Sequence, residues 1–451
     1  MRRSTNRVLE PKRLHRILFL ALPIIGGMVS QNILNLVDTA MVSRLENSSA
    51  ALAAVGLSGF MVFVAQAIIL GLSTGVQATA SRRKGQGLIS ESGHFLNAAL
   101  IIIVITVPIL TFFCFSLAPT IYPMLNNNSE ILALGIPYLQ IRSLGMIFVA
   151  VNFAFRGYWS AIDLTKLYMI TLISMHAVNI VLNYILIFGN FGAPKLGVEG
   201  AAIASVISLA LGSIVYILFG IRYANSNGFL KGLPKKEETV TLIRLSLPAG
   251  VQQQFFAAGF LATFWIIGQM GTKELAAANV LVNIMLVALL PGMGFGMAAA
   301  TLVGQALGKS AAKDASKWAW EVALVAMVVM ALLGLPMILI PGYLVSSIYE
   351  LEAQTLDLVV WPLRLVGLTM AFEALAMTMR FSLQGAGDTK RCMIIAIVLQ
   401  WLIFLPTAYV AGPVYGYGLT VIWFLNISYR CLESLIFTSM WIRRKWARIK
   451  F

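Results

Sequence analysis

The sequence predicts an all-α integral membrane protein with twelve transmembrane helices in two pseudo-symmetric six-helix bundles. Three observations lead there. Of 451 residues, 59% are hydrophobic and only 11% charged, where a soluble domain carries roughly 25% charged residues. The apolar stretches run about 20 to 25 residues without strict alternation, the length an α-helix needs to cross a hydrocarbon core roughly 30 Å thick. A barrel strand takes about ten residues and alternates. The third observation is that the two halves of the chain resemble each other, in order and in register.

Hydropathy and turn signals place the spans at 17–43, 51–78, 93–119, 132–156, 167–188 and 199–221 in the first half. In the second half they fall at 243–268, 276–304, 318–342, 358–383, 392–411 and 417–441. The basic N-terminal stretch up to Arg16 is followed by an apolar segment too long for a signal-peptide core, so it reads as a retained first span. Cys114, Cys392 and Cys431 lie far apart in apolar sequence and read as packing residues, with neither metal-ligand spacing nor a disulfide pattern.

Most of the 33 Lys and Arg gather in alternate loops. They include Arg2, Arg3, Arg7, Lys12, Arg13 and Arg16 in the tail, "RRK" at 82–84, and the central loop with Lys231, Lys235 and Lys236. The last group is the closing "RRKWARIK"; the opposite loops carry only Arg44, Lys195 and Lys273. The positive-inside rule then puts both termini of this multi-pass protein in the cytoplasm. The net charge of +15 thus reports topology and contact with anionic membrane lipids, and argues against nucleic acid as a partner.

The central loop divides the chain into an N-terminal lobe, 1–227, and a C-terminal lobe, 228–451. "LALP" (Leu20–Pro23) recurs as "LSLP" (Leu245–Pro248), and "ALAAV" (Ala51–Val55) as "ELAAA" (Glu274–Ala278). "GLSTGVQATASRRKG" recurs as "GFGMAAATLVGQALG", and "SAIDLTK" as "GAGDTK". Four matches in order at one offset indicate an internal repeat. Six spans per half make the two bundles parallel repeats, an architecture of secondary transporters that lets one bundle rock against the other. Neither G-x-x-x-x-G-K-[ST] nor H-E-x-x-H occurs, so the chain reads as a non-enzyme without cofactor, driven by an ion gradient. "GMGFGM" (Gly292–Met297) lies inside a span and reads as close helix packing.

Asp38 lies well inside the first span. A carboxylate at the bilayer centre costs about 2.5–3.5 kcal/mol on insertion scales and has to face protein or water. Gln31, Asn35 and Asp38 are spaced four and three apart and share a helix face. His176, Asn179 and Asn183 form a second polar stripe on span five, which Asn152 and Tyr184 are placed to join. If the stripes meet, burial penalises the ionised form of Asp38, which then takes up a proton on one side and releases it on the other. The alternative is a buried Asp that only ties helices together. Pro23, about four turns earlier, permits a bend that couples protonation to the shape of the cavity. His176 is either a hydrogen-bonded packing residue or a proton relay.

The second half is poorer. "ATFW" (Ala262–Trp265) stands where the repeat would place Asp38, and Glu373 is the one acid singled out inside a span there. It reads as a site for a cationic substrate or a second proton. Arg142 and Arg364 match in the repeat near the outer ends of their spans, as snorkelling residues or as half of a gate ion pair. The 25 Phe and 20 Met suit a cleft for lipophilic ligands.

The twelve spans in two repeats, "LALPIIGGMVSQNILNLVDTAMVSRL", and "LQGAGDTK" together resemble the multidrug and toxic compound extrusion (MATE) family, from about Leu14 to Trp441. The spacing of Pro23, Gln31 and Asp38 resembles its DinF-like branch. The resemblance implies a V-shaped pair of lobes and a monomer. It also implies an antiporter exporting lipophilic or cationic drugs against H⁺ or Na⁺, with Asp38, Gln31, Asn179 and Asn183 lining the N-lobe cavity. Two departures stand out. The family often has an aspartate where this chain has Asn183, and the NorM-like branch has a span-seven glutamate where "GVQQQFFAAG" has only glutamines. The reading is therefore a proton-coupled multidrug antiporter. Na⁺ coupling at Asp38, a flippase for an amphiphilic metabolite, and a non-transporting scaffold or receptor are the alternatives.

Overall fold

The computed structural model describes residues 9–451; Arg2, Arg3 and Arg7 of the basic tail lie outside the described residues. Every regular element among the described residues is helical. Helix α1 (Pro11–Val42) is one continuous helix with Pro23 inside it. Helix α2 (Ser48–Gln66) passes through a tight turn at Ala67–Ile69 into α3 (Leu70–Gly85). Next come α4 (Ser92–Leu125), α5 (Ser129–Leu144) and α6 (Met146–Ala161). The Asn128 side chain starts α5 by accepting from the amides of Glu130 (2.9 Å) and Ile131 (3.3 Å), a cap that satisfies orphan donors of the first turn. Helix α7 (Thr165–Phe188) ends on Gly189, whose positive φ of 75° gives the left-handed cap that glycine adopts without strain. Helix α8 (Gly197–Phe219) follows.

The second half runs α9 (Lys236–Gly268), α10 (Thr272–Gly308), α11 (Ala312–Leu339), a short α12 (Pro341–Ser346) and α13 (Ala353–Gly385). The next span is broken into α14 (Thr389–Ile397), a wide π turn over Val398–Phe404, α15 (Leu405–Tyr409) and a second π turn over Val410–Val414. Pro406 and Pro413 lie in this stretch and cannot donate to the helical ladder, which loosens it locally. Helix α16 (Leu419–Ile442) closes the set.

Ten of these helices or merged stretches are long and apolar enough to cross a membrane, or eleven when α5 and α6, bent by 46°, count as one span. The remaining expected span, 243–268, lies within α9, which is long enough at 33 residues but carries the glutamines Gln252, Gln253 and Gln254 in its middle. The all-α membrane fold of the sequence reading is thus the fold observed.

The chain packs as two compact units, Gly26–Ala257 and a second made of the chain up to Ile25 with Ala258–Phe451. Both α1 and α9 therefore change unit along their length. In the first unit, Phe155 stacks on Tyr216 at 5.5 Å and meets Phe229 edge-on at 5.6 Å, with all three rings buried. In the second, the "GMGFGM" glycines are packing sites: Gly292 faces Met330 and Met377, and Gly296 faces Phe381.

Glycine also seats α9 in the first unit. A Cβ on Gly250 would meet the Ile68 carbonyl, and one on Gly71 would meet Gly250 itself. Small residues that let backbones touch are what drives helix association where lipid removes the hydrophobic incentive. Gly250→Ala is therefore expected to destabilise the fold by about 1–3 kcal/mol, the usual cost of overpacking. Gly59→Ala, whose Cβ meets open space, is the control. Melting of the two variants in detergent checks this; equal midpoints would remove the contact from the account.

Candidate functional site

The two polar stripes meet inside the first unit. Asp38 Oδ1 accepts from Asn183 Nδ2 at 2.6 Å, and the same amide lies 2.9 Å from Asn179 Oδ1. Asn179 and Asn183 are buried, while Asp38 is half-buried. Behind them α8 supplies Ser208 Oγ at 3.1 Å and Ser205 Oγ at 3.4 Å from Asn179 Nδ2. The helical spacing is what makes this layer. On α7, Asn179 and Asn183 stand one turn apart, and Ser205 and Ser208 do the same on α8.

The surroundings of Asn179 are best satisfied with its NH₂ on the side of Asp38: there it donates to Asp38 Oδ1 at 3.2 Å, and its carbonyl accepts from Ser208 Oγ (3.1 Å) and the Ser205 amide (3.2 Å). The NH₂ groups of Asn179 and Asn183 then converge on a single carboxylate oxygen. Asn183 Oδ1 is buried beside it with no hydrogen-bond partner. Arg142 and Tyr138 on α5 lie close enough to interact electrostatically, Arg142 with Asp38 and Tyr138 with both.

A second layer sits further along the same helices. His176 is joined at both ring nitrogens: Nε2 lies 3.0 Å from Gln31 Oε1, and Nδ1 lies 3.0 Å from Ser30 Oγ. Gln31 Nε2 donates onward to Asn35 Oδ1 at 3.1 Å, and the Ser30 hydroxyl donates to the Gly27 carbonyl at 2.7 Å. Asn152 stands apart from both layers, accepting from Ser213 Oγ at 2.9 Å and facing the Met175 sulfur at 3.7 Å. Tyr184 is exposed and its ring meets Phe188 and Phe191. Pro23 lies just before Gly26, where α1 passes from one unit to the other.

The sequence reading did not single out Ser205, Ser208 or Tyr138, and it left Arg142 at the span end. The signal for the serines was present as polar positions one turn apart on an apolar helix. Nothing in the sequence tied α5 to α1.

In the second unit Glu373 of α13 sits 3.4 Å from Arg430 of α16, which lies 3.4 Å from Glu433; Arg380 approaches Glu433 at 3.9 Å. All four side chains are largely buried. The Glu373 carboxylate thus has a resident cation from its own unit, and Arg380 belongs to the same buried network. Among the described residues no group of three or more His, Cys, Asp or Glu is arranged to hold a metal ion.

Helices on this plan, with a half-buried acid held by amides, define a membrane transporter rather than an enzyme. The MatE family model matches residues 23–185 and again 248–410, one match per repeat, and the chain belongs to the MATE family. It is 27% identical over 451 residues to the probable multidrug resistance protein NorM of Thermotoga maritima, covering 97% of this chain and 94% of that one. An outward-facing multidrug resistance MATE family transporter superposes with a TM-score of 0.87 at 20% identity over 97% of both chains. A MOP superfamily transporter from Pyrococcus furiosus gives 0.85 at 21% identity over 96% of both.

Breaking a buried ion pair from one side leaves an unpaired charge and costs about 3–5 kcal/mol. Arg430→Met is expected to lower stability by that order. Adding Glu373→Gln and Glu433→Gln to it is expected to recover most of the loss. Thermal unfolding of the three proteins in detergent tests this, and a triple variant no more stable than the single one would show that the charges are not the reason.

Proposed function

We propose that this chain is a secondary active efflux antiporter. It exports lipophilic and cationic compounds in exchange for protons, with Asp38 as the proton carrier. The observation that carries the reading is the Asp38–Asn183 hydrogen bond at 2.6 Å, backed by the Asn179 amide 3.2 Å from the same carboxyl oxygen. An ionised Asp38 is held by two NH₂ groups. A protonated Asp38 donates to the Asn179 carbonyl and changes what Ser205 and Ser208 receive. The change at α7 and α8 is passed to α1, which bends at Pro23 because proline leaves one helical hydrogen bond unmade. Substrate and proton then exclude each other through the shape of the cavity. Gln31, Asn35 and His176 line the approach.

The relatives named as multidrug resistance proteins support drugs as substrates. The spacing of Pro23, Gln31 and Asp38 supports the DinF-like branch, the bacterial relatives support a bacterial inner membrane, and the basic loops support cytoplasmic termini. The family resemblance supports a monomer.

Sodium coupling is the second reading, and the Asn183 carbonyl favours it. A buried acceptor without a partner beside a carboxylate is the kind of oxygen ligand a hard cation takes.

Export of a fluorescent lipophilic cation from proteoliposomes separates the two. A pH gradient is expected to drive wild type, and Asp38→Asn is expected to abolish that flux. Pro23→Ala is expected to slow it while leaving dye binding intact. Flux under a sodium gradient alone would install the second reading. Unchanged proton-driven flux in Asp38→Asn would remove Asp38 from coupling.

A further inference from the structure

We propose that Arg13 and Glu238 are repeat-equivalent positioning residues that anchor the first segments of α1 and α9, giving each helix a fixed base against which it bends. The proposal rests on the transport reading for its consequence, though not for its geometry. The MatE matches begin at Pro23 and Pro248. In that register Arg13 stands opposite Glu238 and Ile17 opposite Leu242. Helix α4 and helix α11 are likewise equivalent, each being the third span of its repeat.

Arg13 is held by α11 within the second unit. Its Nη1 lies 2.7 Å from Asp314, its Nε donates to Glu321, and its guanidinium stacks 3.5 Å from the centre of the Trp318 ring. Trp318 Nε1 in turn donates to Asp314 Oδ2 at 3.0 Å. Lys317 extends the network to Glu10 at 2.9 Å and Glu321 at 3.7 Å. One turn further on, Arg16 donates to Gln305 of α10 at 2.6 Å. Glu238 is held by α4 within the first unit. Its Oε1 lies 3.3 Å from His94 Nδ1, and its Oε2 accepts from the Lys235 amide at 2.8 Å. The polarity is reversed between the repeats: the helix that changes unit carries the cation in the first and the acid in the second.

Both latches lie on the segment of their helix that belongs to the other unit from its remainder. Arg13 precedes the change of unit after Ile25, and Glu238 precedes the one after Ala257. A helix with a loose end that loses a partner simply tilts. A helix with a pinned end stores the same change as a bend. The Arg13 and Glu321 side chains are 14% and 6% exposed, unlike the solvated ion pairs that contribute little. Ile17 and Leu242, one turn past the latches, are fully buried and report whether the ends stay docked.

The test uses the full chain in proteoliposomes with Cys114, Cys392 and Cys431 replaced and a single cysteine at Ile17→Cys or Leu242→Cys. Maleimide labelling of the position-17 cysteine is expected to rise about five- to thirtyfold in Arg13→Glu. The charge exchange Arg13→Glu with Glu321→Arg is expected to return it to near wild type. Glu238→Gln is expected to raise labelling at position 242 and not at 17. Arg13→Gln covers the case in which the reversed charge prevents folding. In transporting vesicles, latch variants are expected to lower turnover while the dye concentration giving half-maximal rate stays the same. Labelling that ignores these substitutions would overturn the latches. Labelling that responds while turnover does not would overturn their role as anchors. If wild type moves no dye but labelling still follows the latches, the transport reading falls and the anchoring geometry stands.

Discussion

Lipid offers no hydrogen bonds, and the rest of the structure follows from that. Each backbone amide in a span has to find its partner within its own helix, so the described chain is helical throughout its apolar length. The same constraint acts on side chains. Polar groups inside the spans are not scattered; they meet one another. Asp38 meets Asn183 and Asn179, Gln31 meets His176, and Glu373 meets Arg430. An unpaired carboxylate or amide in hydrocarbon costs several kcal/mol, so these contacts bring together helices that hydrophobicity alone, equally satisfied by lipid, does not select.

The two repeats answer the constraint differently. In the first unit the acid is paired with neutral amides, Asn183 and Asn179. In the second, the acids are paired with arginines, whose charge is permanent, so the network ties α13 to α16 in a single state. One repeated plan thus carries an acid among neutral amides in one unit and acids among arginines in the other. In α9 the middle carries Gln252, Gln253 and Gln254 beside Gly250, whose backbone lies against Gly71 of α3.

Helices α1 and α9 carry the consequences of the repeat furthest. Each starts in one unit and continues in the other, and each has a proline along its length, Pro23 and Pro248. In α1 the proline precedes two glycines that lie against Met169 and Tyr168 of α7, so the helix is least supported by its own hydrogen bonds where it changes neighbours. In α1 the Arg13 ion pairs with α11 stand at one end and the polar layers shared with α7 at the other.

By itself the sequence determined the helices, because twenty apolar residues in a bilayer leave the backbone no other option. It also determined the repeat, the family and the stripes on α1 and α7, since spacings of three and four residues report a shared face on any helix. Only the tertiary structure decided which stripes meet. It put Ser205 and Ser208 behind Asn179, set Asn152 and Tyr184 apart from Asp38, and gave Glu373 an arginine from a helix nearly sixty residues away in the chain. Periodicity records which residues share a face of one helix. It holds no record of which two helices pack together or at what rotation, and partners such as Arg430 become legible only once that packing is known.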